Sequence, residues 1–127
     1  MAWKPYQPNP LKLNTGDCVI RAISAVTGWG WYETYDALCE RGREAADLPN
    51  ADRVWWSLLY DLGFEKYDVP TACPNCITVR EFANANPRGV YVVGPKEHAV
   101  AVIHGDWWDS WNSGDTVATY YFWRAEP

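Results

Sequence analysis

The chain has 127 residues and a mass of 14.5 kDa, a length that suits a single domain and can bury a core without relying on disulfides or metals. Eleven Lys and Arg against sixteen Asp and Glu leave a net charge of −5 and a pI near 4.9, with no basic run, which disfavours nucleic acid as a partner. Apolar residues at 48% and charged residues at 21% argue against disorder, and no apolar stretch reaches the roughly eighteen residues of a membrane span.

Composition is unusual in its rings: nine Trp, eight Tyr and three Phe predict a crowded core with a ring-lined groove beside it. Met1-Ala-Trp-Lys-Pro5 lacks the apolar run of a secretory leader, so a cytoplasmic setting with reduced thiols is expected.

Residues 1–13 carry Pro5, Pro8 and Pro10 and read as an extended arm lying on the domain, with regular structure starting near Asp17. Val19, Ala22, Ile23 and Val26 recur at helical spacing, and Ile20 and Ala25 make other faces apolar, which marks a buried central helix ending at Gly28. A second helix is predicted from Trp31 to Arg41, with Trp31, Tyr35, Leu38 and Cys39 on its inner stripe. A third is predicted from an Asn50 cap to Gly63, burying Val54, Trp55, Leu58, Leu59 and Leu62. Phe64 to Val69 reads as a short strand. Thr78-Val-Arg-Glu81 matches a capping box and opens a short helix stopped before Pro87. Val90–Val93 and Ala99–Ile103 read as buried strands. Gly105-Asp106 signals a hairpin whose return is Trp107–Trp111, and Ala118–Trp123 supplies a further strand. Helices first and an antiparallel sheet afterwards make an α+β domain over 1–127, with the central helix packed on the sheet.

Cys18 stands at the start of the central helix. Unpaired amides and a partial positive charge at that end favour a thiolate, and the Cys18 amide together with the Asn14 side chain can bind an oxyanion. The competing reading is a cysteine that only fills space in the core. His98 opens a strand expected in the middle of the sheet, where a base is held rigidly. The other histidine, His104, lies about 20 Å further along the strand, so only one of the two is expected to reach Cys18.

A third group must orient the imidazole. With a two-residue turn at 105–106, His98 faces position 113, and a turn changed by one residue brings Asn112 opposite it. Asp109 then faces Val102, about 13 Å along the strand from His98, unless the hairpin is bulged or shorter. Geometry favours Asn112 and charge favours Asp109, and both stay open. Trp107, Trp108 and Trp111 share this hairpin and are candidates for a substrate wall. Asp17 and Arg21 read as an ion pair or a cap. Cys73-Pro-Asn-Cys76 is half of a zinc site with no second pair, and is read as a plain turn, with a metal or a labile disulfide as alternatives.

His98-Ala-Val-Ala-Val102 with Gly105 following, then Asp109-Ser-Trp-Asn-Ser-Gly114, resembles the histidine and asparagine strands of papain-like cysteine peptidases. Gly16-Asp-Cys-Val-Ile-Arg-Ala-Ile-Ser24 is similar to the nucleophile segment of the ovarian-tumour type of deubiquitinating peptidases, themselves papain-like. Compact members of this kind occur in bacteria and phages. The order Cys18, His98, then Asn112 or Asp109 is kept across about ninety residues. Position 12 is Lys where the papain type has its oxyanion glutamine, so Asn14 would have to take that part.

The resemblance implies a papain-like fold and a thiol peptidase acting on a peptide or protein substrate; no cofactor and no metal are expected, and charge and hydropathy set aside nucleic acid and membrane. The alternatives are a catalytically inactive binding module on the same scaffold and acyl transfer to an amine.

Overall fold

The computed structural model describes residues 1–125. The proline-bearing arm does lie along the domain, and it also contributes a strand, β1 (Trp3–Pro5), earlier than regular structure was expected. The arm then turns at Asn9, whose buried side-chain carbonyl accepts the amides of Leu11 (2.9 Å) and Leu13 (3.3 Å).

Helix α1 (Cys18–Thr27) buries Val19, Ala22, Ile23 and Val26 as their spacing requires. It ends on Gly28, whose left-handed backbone (φ 79°) lets its amide close on the Ser24 carbonyl. Helix α2 (Trp31–Ala45) runs four residues past the expected end and is rotated from the expected stripe. Thr34, Leu38 and Gly42 face inward, while Tyr35 is exposed and stacks on Trp31 at 5.2 Å. Gly42 explains the rotation, because a side chain there would meet the backbone of Asp47 and Pro49. Helix α3 (Asp52–Asp61) buries Val54, Trp55, Leu58 and Leu59, with Leu62 half-buried beyond its end. The Asn50 cap is not made, and Ala51 holds that position without a side-chain bond.

Strand β2 (Glu65–Asp68) follows, then α4 (Val79–Ala85). In α4 the capping box forms in full: Glu81 N–H donates to Thr78 Oγ1 and Thr78 N–H donates to Glu81 Oε1. Strands β3 (Val90–Pro95), β4 (Val100–Ile103), β5 (Asp106–Asp109) and β6 (Ala118–Arg124) complete a six-stranded sheet ordered β1-β5-β4-β3-β6-β2. The expected antiparallel sheet is therefore mixed, because β1 runs parallel to β5 at one edge.

The centre of the sheet is buried on both faces, which is why β3 and β4 read as continuous apolar runs. On β3 and β4, Val92 and Ala101 pack under α1–α3 with Ile23, Leu59 and Phe122. Their neighbours Val93, Val100 and Val102 pack under α4 with Val79 and Phe82. No described helix is long and apolar enough to cross a membrane.

The β4–β5 hairpin corrects the expected register. Ile103 pairs with Asp106, so the turn is His104–Gly105 and not Gly105–Asp106. Both turn residues are left-handed (φ 50° and 81°), the backbone of a two-residue turn that matches strand twist. Gly105 adopts this freely and His104 is among the side chains that tolerate it. The four-residue segment Cys73–Cys76, expected as a plain turn with free thiols, is closed by a disulfide on the surface.

Candidate active site

Cys18 is the first residue of α1, so its amide has no acceptor within the helix. Asp17, immediately before it, does not cap the helix with its side chain. Its buried carboxylate instead takes Arg21 Nη1 at 2.6 Å and the Trp31 indole N–H at 2.9 Å. Arg21 is itself buried and reaches across to β5, where Nη2 and Nε lie 2.9 and 3.1 Å from Asp109 Oδ1. The pair read from sequence is thus a bridge between two carboxylates. Such a bridge was foreseeable in outline, since a charged side chain on the inner side of an apolar helix must find compensation.

Asp109 is fully buried and every lone-pair direction is used. Oδ1 accepts the Ser110 amide at 2.8 Å as well as Arg21, and Oδ2 accepts Ser113 Oγ at 2.6 Å and meets His98 Nε2 at 2.7 Å. Its main chain is clamped too, because the Asp109 carbonyl accepts the Tyr6 amide and the Trp3 indole N–H from the N-terminal arm. Burial alone would raise this carboxyl. The hydrogen bonds from His98 and Ser113, and the charges of His98 and Arg21, hold it below the ordinary carboxylate range.

His98 sits between the turn after β3 and the start of β4, its amide bonded to the Pro95 carbonyl. With Nε2 on Asp109, its other ring nitrogen is left for Cys18, which lines the same cleft. Burial pushes the imidazole down. Asp109 and Cys18 together outweigh that and raise it from 6.5 to about 9, so His98 is charged at neutral pH.

Of the two orienting candidates, Asp109 is the one at His98. The register Ala101–Trp108 continues to set Asp109 opposite Val100, two residues from His98, or about 7 Å of strand, where a turn placed later in the chain gave about 13 Å. Asn112 is exposed and does not approach His98. Its Oδ1 accepts the Trp107 indole N–H at 3.0 Å and the Gly114 amide at 3.1 Å, tying down the segment after β5.

A cleft of about 440 Å³ opens at Cys18 and His98, bounded by α3 on one side and by β6 on the other. Its aromatic wall is Trp55, Trp56 and Tyr120, with Asn50 and Asp52 at the rim. The expected wall of Trp107, Trp108 and Trp111 is only partly present. Trp107 is buried under α4. Trp108 packs edge-on to Tyr6 (5.8 Å) away from the cleft. Trp111 alone stands at the site, its exposed ring 5.1 Å from the His98 ring. Nothing local in the sequence marks Trp55, Trp56 and Tyr120, because they come from elements about sixty residues apart. Asn14 is exposed and is not among the residues lining the cleft, so the expected second oxyanion donor is not brought there.

A thiol at a helix start, an imidazole in the same cleft and a buried carboxylate behind the imidazole can carry out acyl transfer. Among the described residues no group of acids, histidines and cysteines is arranged to hold a metal ion. In comparison with known proteins, the chain matches no family model, no curated protein and no solved structure.

Proposed function

We propose that this chain is a cysteine peptidase of papain-like architecture that cleaves a peptide or isopeptide bond. The observation that carries the reading is that Cys18, at a helix start, and His98 line one cleft, with the imidazole bonded to a fully buried Asp109 that is in turn held by Arg21 and Ser113. With the thiol proton held on His98, the Cys18 sulfur attacks the substrate carbonyl as a thiolate, forming a carbon–sulfur bond and placing the electron pair on oxygen. The Cys18 amide donates to that oxyanion. His98, already protonated at neutral pH, gives its proton to the departing amine as the carbon–nitrogen bond breaks. Water then loses a proton to His98 and attacks the thioester, releasing the acid and restoring Cys18. Asp109 keeps the imidazole in one orientation and balances its charge throughout.

Iodoacetamide near neutral pH tests the reading. Cys18 is expected to alkylate faster than Cys39, the other free cysteine, and to lose that advantage on unfolding. A Cys18 no more reactive than Cys39 overturns it. The position of Asn14 outside the cleft favours a second reading, an inactive module that binds a protein partner. Cys18→Ala separates the two: a binder keeps its biological effect and a peptidase loses it.

A further inference from the structure

A tetrahedral intermediate on Cys18 needs a donor besides one amide, and Asn14 is not at the cleft. One donor side chain that lines the cleft belongs to β6. Tyr120 lines the cleft together with Cys18 and His98, and its partner across the sheet is Gly94, one residue before the turn that carries His98. The ring is fixed from several sides. A side chain at Gly94 would collide with it, Trp56 packs edge-on at 5.2 Å, and Phe122 does so at 5.9 Å. Trp56 Nε1 donates to the Tyr120 oxygen at 3.3 Å, which occupies one lone pair and sets the rotation of the hydroxyl. The hydroxyl proton itself has no acceptor among the described residues.

From this geometry we infer that Tyr120 is a catalytic residue whose hydroxyl donates a hydrogen bond to the oxyanion formed on Cys18. The inference rests on the peptidase reading. Burial pushes the phenol up to about 12, opposed by the Trp56 bond and reinforced by Asp52 and the Cys18 sulfur, so the hydroxyl keeps its proton at any working pH. A neutral donor fixed in place needs no reorganisation as charge develops on the oxygen.

Two reagents separate this role from mere shaping of the cleft. p-Nitrophenyl acetate acylates a thiol through a tetrahedral oxyanion, with p-nitrophenolate leaving. Iodoacetamide alkylates the same sulfur by displacing iodide, with no oxyanion at the reacting carbon. Adduct formation at Cys18 is followed by peptide mass spectrometry for the wild type and for Tyr120→Phe, which retains the ring. Acylation is expected to slow on the order of 100-fold in the variant while alkylation is unchanged. Unchanged acylation, or equal slowing of both reactions, overturns the assignment and leaves the peptidase reading standing. A wild-type Cys18 inert to both reagents overturns the peptidase reading and this assignment together.

Discussion

Cysteine appears in two settings in this molecule, and they contrast sharply. Cys73 and Cys76 have the spacing that sequence inspection notices first, yet they lie on an exposed turn with their sulfurs joined to each other. Cys18 has no partner cysteine and stands as the first residue of an apolar helix. It shares a cleft with an imidazole backed by a carboxylate with no solvent exposure, and that carboxylate is held by a buried arginine. On the proposed peptidase reading, the contrast teaches that reactivity is conferred by surroundings. A sulfur becomes a nucleophile through a fixed cation and a rigid scaffold, both of which the surface pair lacks.

The largest effect that would sharpen the contrast is on turnover. Cys18→Ala should abolish peptide hydrolysis, whereas Cys73→Ser with Cys76→Ser should leave kcat/KM within about twofold. Equal losses in the two variants would break the comparison. Next comes the group behind the imidazole. Asp109→Asn should lower kcat by about 10²- to 10⁴-fold, since an amide cannot balance the His98 charge. Asp109→Ala should in addition destabilise by about 3–5 kcal/mol, because Arg21 is left buried with one carboxylate fewer. Urea titrations of both variants read the stability arm.

The pH dependence is of similar or smaller size. His98 rises from 6.5 to about 9 on folding, so its charged form stabilises the native state. That contribution, on the order of 3 kcal/mol, is fully present below about pH 6.5 and is lost as pH rises through about 9. Urea midpoints between pH 6 and pH 10 should fall more in the wild type than in His98→Gln, and parallel curves would refute the assignment. Two changes should matter least. Asn112→Ala removes the acceptor for Trp107 and Gly114 and should cost about 1 kcal/mol without altering the pH profile. Reduction of Cys73–Cys76, which closes a loop of only four residues, should cost at most about 2 kcal/mol and leave Cys18 alkylation unchanged.

The features legible beforehand were those carried by short-range pattern. The helix from Cys18 to Gly28, the capping box at Thr78–Glu81 and the four long C-terminal runs depend on spacing and local chemistry, and all appear in the fold. The orienting residue was not legible, because it hinged on a turn of two residues. His104 takes a left-handed backbone and Asp106 pairs with Ile103, which moves the returning strand by two positions and brings Asp109 toward His98 in place of Asn112. The inner face of α2 was misjudged for a comparable reason. Contact between Gly42 and the segment after the helix, not the hydropathy of Tyr35, chose which side faces inward.

Sequence alone therefore determined the class of the domain, the helix that Cys18 begins and the strand that follows His98, since each follows from periodicity within about a dozen residues. Tertiary structure alone decided which carboxylate stands behind His98, that Arg21 spans Asp17 and Asp109, and that Trp55, Trp56 and Tyr120 wall the cleft. Those outcomes join residues far apart along the chain. They are set by strand register and by the need of buried charge for partners, neither of which leaves a local trace.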